Sequence, residues 1–133
     1  MDVQKGLIIR QPWIDLILSG EKTWEMRSNR ASHRGSFGLI LRGSKTVIGV
    51  ADLVRVHGPL TVEQLEQSFD RHRASLSVLN NVGGKPWSCA WELANVRQLL
   101  CPVPYAHKSE VRWVEFSDAV VAEIQAQLSA LYA

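Results

Sequence analysis

Within its first 27 residues the chain runs through a strand, a proline, a short helix, a glycine and a second strand, and this order limits the possible folds most. Residues 6–10 form a short apolar run typical of a buried strand. Pro12 suits the first position of a helix, because the amide hydrogen that proline lacks would have no partner there. Residues 13–19 are mostly apolar, and Gly20 can take the left-handed conformation that ends a helix. The sequence therefore predicts a buried helix that leads directly from the first strand into the second.

The second strand carries charged side chains on one face and apolar side chains on the other. Side chains alternate between the faces of an extended chain, so Glu25 and Arg27 point one way and Trp24 and Met26 the other. The apolar pair should enter a core, and Lys22 should lie at the beginning of the strand, beside the charged pair. This pattern fits an exposed edge strand, where ion pairs contribute little to stability. It also fits the floor of a binding cleft.

The remaining sequence alternates strands with a few helices. Four further strand patterns follow, at residues 36–42, 46–56, 86–100 and 111–116. Gly49 predicts a bend or bulge in the second of these. Residues 61–73 begin with a capping box and predict a mid-chain helix with His72 on its surface. Residues 118–133 predict a C-terminal helical extension. About six bent strands and three helices indicate an α+β, mainly β, fold, a small β-barrel formed by residues 1–133 as a single domain.

The C-terminal helix has an apolar stripe formed by Val120, Val121, Ile124, Leu128 and Leu131. Its spacing is that of a helix face packed on a core. The alternative is a homodimer interface on the same face.

Composition places few restrictions on the partner. The net charge of +2 permits nucleic acid without requiring it, since a local basic cleft matters more than the total charge. Five tryptophans offer either core packing or surfaces on which bases stack. The four histidines and two cysteines lack the paired spacing of metal ligands, so we expect neither a metal nor another cofactor. Cys89 and Cys101 are predicted to be reduced core residues of a cytoplasmic protein. No apolar run approaches the roughly 20 residues of a membrane helix, and no membrane partner is expected.

A basic loop follows the charged strand, between residues 28 and 35. It contains Arg30, His33 and Arg34. The loop is either solvated or forms a rim that contacts phosphate, because guanidinium groups match phosphate oxygens.

Several of these features together resemble one known family. They are Gln11-Pro12-Trp13, Gly20-x-Lys22-x-x-Glu25-x-Arg27, Arg34-Gly35 before a strand, and Pro102-Val103-Pro104-Tyr105-x-His107. This combination, over roughly residues 6–116, is similar to the ASCH domain, the activating signal cointegrator homology domain. The resemblance implies a PUA-like β-barrel, a fold associated with RNA and modified nucleobases. It also implies a cleft floored by Lys22, Glu25 and Arg27.

Binding of RNA, of single-stranded nucleic acid or of a modified nucleoside is the function that this interpretation favours. Arginine offers fixed donors to phosphate or to a base edge, and tryptophan offers a stacking surface. The predicted ligand-binding residues are Gln11, Trp13, Lys22, Thr23, Glu25, Arg27, Arg30, Arg34 and His107.

A hydrolase is the alternative. Bacterial relatives implied by the resemblance include acetylcytidine amidohydrolases, which use a lysine and a nucleophilic threonine. Lys22 matches the lysine, but Glu25 occupies the place of the nucleophile, which argues against that activity. Ribonuclease activity, also known in the ASCH group, needs a base, an acid and a cation at the cleft. The predicted catalytic residues are Lys22, Glu25 and Tyr105, with His107 as the alternative to Tyr105.

Overall fold

The computed structural model describes residues 3–107 and 112–132, which form six strands and five helices. The strands are β1 (Lys5–Ile9), β2 (Trp24–Arg27), β3 (Gly35–Leu41), β4 (Thr46–His57), β5 (Cys89–Pro104) and β6 (Trp113–Glu115). The helices are α1 (Trp13–Ser19), α2 (Val62–Gln67), α3 (Phe69–His72), α4 (Leu76–Asn80) and α5 (Asp118–Tyr132). The predicted α+β, mainly β, class is confirmed.

All six strands belong to one curled sheet with the order β2-β5-β4-β3-β1-β6. β1 and β3 are parallel, and every other neighbouring pair is antiparallel. The register shifts between Leu39 and Ile40 and again between Val47 and Gly49, which confirms the predicted bulge. Bulges bend a sheet. The bent strand packs closely against α1 at Gly49, where a Cβ would lie only 2.8 Å from Leu18 Cδ2. The sheet thus curls into a half-barrel that brings the edge strand β2 back towards β1.

Three apolar clusters fill the fold. Inside the curl, Ile14 and Ile17 of α1 pack with Phe37 and Trp91. A second cluster lies under α5. In the third, Trp24 and Met26 pack against Leu65, Ala74, Leu79 and Ala90, in the region of α2 and α4. The predicted burial of Trp24 and Met26 on one face of β2 is therefore correct.

The mid-chain helix predicted over residues 61–73 is instead two helices, α2 and α3, followed by α4. Its capping box is present, with Thr61 and Gln64 bonded to each other as expected. The Ser68 hydroxyl donates to the Gln64 carbonyl, which gives the backbone an alternative to a regular helix. Because the chain turns there, Phe69 is 49% exposed rather than part of a continuous apolar face.

β5 differs from its predicted bounds. It begins at Cys89 rather than at residue 86 and continues to Pro104, where Val103 pairs with Val47 of β4. Cys89 is buried, but Cys101 is exposed on this extended strand, so the prediction that both cysteines lie in the core was wrong for Cys101. Both are free thiols. β6 is shorter than predicted, and the beginning of its predicted range, residue 111, lies outside the described residues.

α5 packs on the sheet through the predicted stripe. Val121, Ile124 and Leu128 are buried in the cluster that includes Val103, whereas Leu131 near the helix end is exposed. Core packing of the stripe is therefore confirmed except at Leu131, and a homodimer interface stays a prediction. Within residues 3–107 and 112–132, no helix has both the length and the apolar character needed to cross a membrane.

Replacing Ile124 should separate a core role of α5 from a surface role. Ile124 is 0% exposed, so Ile124→Ala leaves a cavity and should lower the free energy of unfolding by about 2–5 kcal/mol. Leu131→Ala, at a position that is 42% exposed, is the control and should change it by less than about 0.5 kcal/mol. Urea unfolding followed by tryptophan fluorescence measures both. Equal effects of the two substitutions would contradict this packing.

Candidate functional site

A cavity of about 200 Å³ opens where β1, α1 and β2 meet, and we call it the first cavity. Its polar floor is formed by Lys22, Glu25 and Arg27. Its walls are mostly apolar and consist of Ile8, Ile9, Trp13, Met26, Ala74, Val78 and Trp87, with Arg10 and Arg42 completing the lining. The first cavity therefore combines an apolar enclosure with charged groups at its base.

The turn after α1 places Lys22 in this cavity. Gly20 ends the helix with a positive φ of 86°, and the Lys22 amide then donates to the Leu16 carbonyl at 3.0 Å. The next amide, that of Thr23, donates to the Arg71 carbonyl at 2.9 Å, which fixes this turn to the region of α3. The predicted sequence of helix, glycine cap and charged strand thus holds Lys22 at the entrance to β2.

Lys22 is a buried amine, only 2% exposed. Its Nζ donates to the His72 carbonyl at 2.5 Å and lies 5.0 Å from the centre of the Trp13 ring. Burial is the main reason why its pKa falls from 10.5 to about 8; the charge of Glu25 raises this pKa and that of Arg27 lowers it further. Near pH 8, Lys22 can therefore either donate or accept a proton.

His72 provides the backbone carbonyl to which Lys22 donates. The prediction that it lies on the surface was wrong, since it is 1% exposed. Its Nε2 bonds to the Leu65 carbonyl at 2.7 Å, and its Nδ1 accepts from the Ala74 amide at 3.0 Å. Because both ring nitrogens have backbone partners, the ring is satisfied in the interior as neutral imidazole; burial lowers its pKa most, and Lys22 lowers it further. These bonds fix the end of α3, where the His72 carbonyl accepts the hydrogen bond from Lys22.

Arg27 connects the two sides of the half-barrel. Its Nε and Nη2 both lie 2.9 Å from Oε2 of Glu25, and Nη2 also donates to the Ile8 carbonyl of β1 at 2.9 Å. β2 and β1 are not neighbours in the sheet, so this guanidinium bridges the gap between them. No described residue forms a hydrogen bond with Oε1, the other carboxylate oxygen of Glu25.

A second cavity, of about 460 Å³, adjoins the first. The two share three lining residues, Ile8, Arg27 and Arg42. The residues that line only the second cavity are Gly43, Lys45, Tyr105, His107 and Arg112. The Tyr105 hydroxyl and His107 Nδ1 are 3.2 Å apart, and burial raises the pKa of Tyr105. Taken together, the two cavities form one basic groove along the gap that Arg27 bridges.

The sequence model of the ASCH domain matches residues 7–103, most of the chain. The chain belongs to the ASCH domain family. A search of curated protein sequences gave no significant match.

Solved structures share the fold of this ASCH domain. The crystal structure of ASCH from Zymomonas mobilis superposes with a TM-score of 0.70 at 15% identity, covering 96% of this chain and 94% of that one. Two variants of that protein, one with a serine replaced by alanine and one with a tyrosine replaced by phenylalanine, also give TM-scores of 0.70 at 16% identity. Each covers 92% of this chain, and the matched shares of their own chains are 94% and 96%. At these identities the likeness extends to the fold alone.

The ASCH domain brings six of the predicted site residues to the groove. Lys22, Glu25, Arg27 and Trp13 line the first cavity, and Tyr105 and His107 line the second. Tyr105 and His107 thus line a different cavity from Lys22 and Glu25, and Arg27 is one of the three residues that line both.

Four predicted site residues do not line either cavity. Arg30 donates to the carbonyls of Gly58 and Val56, and Arg34 donates to two carbonyls of its own loop. Their guanidinium groups therefore hold backbone in place. Gln11 and Thr23 are exposed, and Thr23 contributes its backbone to the sheet by accepting from the Leu93 amide.

Sequence reasoning missed the four other charged residues of the groove, Arg10, Arg42, Lys45 and Arg112. Arg42 and Lys45 flank the turn between β3 and β4, and their charges beside a short turn were the only available signal. Arg112 lies just before β6, whose position next to β1 depends on long-range pairing. Among the described residues, no group of histidine, cysteine and carboxylate side chains could hold a metal ion.

The lowered pKa of Lys22 predicts how stability depends on pH. Between about 8 and 10.5 the folded protein has released the Lys22 proton and the unfolded chain still holds it, so the free energy of unfolding should rise with pH across this window. Across the whole window this rise in the free energy of unfolding is on the order of 3 kcal/mol. Urea unfolding of wild type and Lys22→Met at pH 7.5, 8.5 and 9.5 measures it.

The slope should be smaller in Lys22→Met, and Lys45→Met, which removes an exposed amine, should keep the wild-type slope. The comparison uses slopes because Lys22→Met also leaves the His72 carbonyl without its partner. Identical slopes in wild type and Lys22→Met would show that Lys22 does not titrate in this window.

Proposed function

We propose that this ASCH domain binds RNA or another single-stranded nucleic acid by enclosing one base in the first cavity. The observation that carries the proposal is the composition of that cavity, with aromatic and aliphatic walls above a floor that contains a fixed donor and a fixed acceptor. A nucleobase has the same two properties, an apolar face and a polar edge.

The walls suit a single flat ring. Trp13 and Trp87 both line the first cavity, and stacking of a base on an aromatic side chain contributes about 1–3 kcal/mol. At about 200 Å³ the cavity is smaller than the about 300–1,000 Å³ typical of pockets for drug-sized ligands. It therefore has room for one unstacked base and not for several, which favours a single strand over a duplex.

The floor favours a base that carries an exocyclic amine. Oε2 of Glu25 is held by Arg27, so Oε1 is the carboxylate oxygen that remains for a ligand. A glutamate oxygen accepts from the amine of cytosine, whereas uracil presents a carbonyl at the same position. Lys22 supplies the donor for a ring nitrogen or carbonyl of the same base. Cytosine, or another amine-bearing base, should therefore bind better than uracil.

Replacing the acceptor should change this preference. Labelled pentaribonucleotides of uridine with C, A, G or U at the central position are the probes, and fluorescence anisotropy measures their affinity. Wild type should bind central U most weakly, at a cost of about 1–3 kcal/mol relative to C. Glu25→Gln keeps an oxygen for Arg27 and places an amide donor in the position of Oε1, so it should remove the discrimination between C and U.

Glu92→Gln is the matched control, because Glu92 lies on β5 paired with His57 and lines neither cavity. It should leave the preference unchanged. Wild-type protein that binds central U as tightly as central C would contradict the proposed role of Glu25. Absence of binding to all four strands would contradict the proposed function.

A hydrolase is the second candidate, and the lowered pKa of Lys22 is the observation that favours it. A lysine that is partly neutral near pH 8 can act as a general base, and Lys22 lies in the same cavity as the Glu25 carboxylate. Tyr105 and His107 would then act from the second cavity on the flank of the bound base. Glu25 in place of the nucleophilic threonine makes ribonuclease activity a better candidate than amidohydrolase activity.

Incubation of labelled RNA and of acetylated cytidine, with product analysis by chromatography, tests this candidate. An enzyme should show turnover that increases as the pH rises through about 8, and Lys22→Met should abolish it. Lys85→Met removes a lysine that bonds to Asn29 and lines neither cavity, so it should retain full turnover. Strand binding without turnover in the wild type would exclude the hydrolase and leave the binding function.

A cytoplasmic location stays a prediction, which the two free thiols support.

A further inference from the structure

The geometry points to a phosphate-binding site in the second cavity, built from Arg42, Lys45 and Arg112 beside Arg27. The inference rests on the proposed function, since it concerns the group attached to a base in the first cavity. It narrows the ligand to a nucleotide or a strand, and it disfavours a free nucleoside.

The cations of the second cavity are not neutralised by the described part of the chain. Arg27 is paired with Glu25, but no described carboxylate forms an ion pair with Arg42, Lys45 or Arg112. The one hydrogen bond from the Arg112 side chain to a described residue is a long one, at 3.5 Å from the Asn29 carbonyl. Burial and the nearby charge of Arg27 both lower the pKa of Arg112, as expected when cations are held together in a partly enclosed site. A bound anion would relieve this repulsion.

Hydrogen bonds fix the backbone of Arg42 and Lys45, and an aromatic ring lies against the Arg112 guanidinium. The Arg42 amide donates to the Ile9 carbonyl at 3.0 Å, which ties the end of β3 to β1. The Lys45 carbonyl accepts from the Tyr105 amide at 3.3 Å, which ties the turn to the end of β5. The guanidinium of Arg112 lies 4.8 Å from the centre of the Trp91 ring. A cationic side chain that is attached to a fixed backbone loses less conformational freedom when it binds an anion.

Phosphate is the anion that fits best next to a base. Guanidinium groups donate two parallel hydrogen bonds to phosphate oxygens, and lysine adds a point charge. Ile8, Arg27 and Arg42 line both cavities, so a phosphate in the second would lie next to a base in the first, as in a nucleotide. Glu25 is the one carboxylate among the described residues of the two linings, and Arg27 already neutralises it.

Comparison of matched ligands tests the inference. Cytidine, cytidine 5′-monophosphate and cytidine 3′-monophosphate are titrated into the full chain by calorimetry at low salt. At least one monophosphate should bind about 10–100-fold more tightly than cytidine. Added inorganic phosphate should weaken the binding of that monophosphate but not the binding of cytidine. The preferred isomer then defines the direction in which a strand crosses Arg27.

The double variant Arg42→Gln/Lys45→Gln removes two exposed cations and should reduce the monophosphate affinity to that of cytidine, with both ligands measured on the same variant because Arg42 also lines the first cavity. Arg55→Gln/Lys85→Gln removes the same charge from exposed positions outside both cavities and should keep the preference. On a pentaribonucleotide, the first variant should also make the slope of log affinity against log salt concentration shallower, by about 0.7 for each phosphate that the variant no longer neutralises.

The results separate the two proposals. Cytidine and both monophosphates binding with equal affinity would overturn the phosphate site and leave base binding intact. Equal losses in the two double variants would also overturn it, because the effect would then be one of total charge. If the pentaribonucleotides and all three cytidine ligands fail to bind, both the phosphate site and the proposed function are wrong.

Discussion

The bridge from Arg27 to the Ile8 carbonyl is the interaction on which the rest of the site depends. The sheet curls without pairing β2 to β1, and the guanidinium group bonds to both strands across the gap. Hydrogen bonds from a charged donor are stronger than neutral ones, and loss of one member of a buried ion pair leaves an uncompensated charge. Arg27 also lines both cavities of the groove, together with Ile8 and Arg42. A substitution at Arg27 would disturb the fold as well as the proposed ligand binding, so variants at the exposed Arg42 and Lys45 separate these effects better.

The burial of Lys22 lowers the stability of the fold. Holding this amine in the interior carries a cost of about 3 kcal/mol at neutral pH, judged from its lowered pKa, within a total stability that is typically about 5–15 kcal/mol. The His72 carbonyl and the Trp13 ring reduce that cost without removing it. A methionine would fill the same space with no charge to desolvate. A strongly perturbed group in a cavity is typical of binding and catalytic sites, where the charge itself has a use.

Local patterns predicted the parts of the site that are close in sequence. The alternation of side chains along a strand placed Glu25 and Arg27 on the face opposite Trp24 and Met26. The prediction that α1 ends at Gly20 was also correct. Long-range packing decided the rest. The burial of His72 depends on backbone partners before and after it, and Arg42, Lys45 and Arg112 meet only because the sheet curls. The basic loop shows the opposite error, because composition cannot reveal that Arg30 and Arg34 direct their donors to carbonyl groups.

The identity of residue 25 is the reason for proposing base recognition rather than hydrolysis. A threonine hydroxyl can serve as a nucleophile, but Oε2 of Glu25 accepts a hydrogen bond from Nε of Arg27 and is paired with Nη2, and attack by this carboxylate would weaken the bonds that close the half-barrel. Its other oxygen, Oε1, has no hydrogen-bond partner among the described residues and is the acceptor that the proposed base would use. Hydrolysis here would therefore need water activated by Lys22 rather than a covalent step on Glu25. Recognition of a base requires no such rearrangement, which is the physical reason for preferring it.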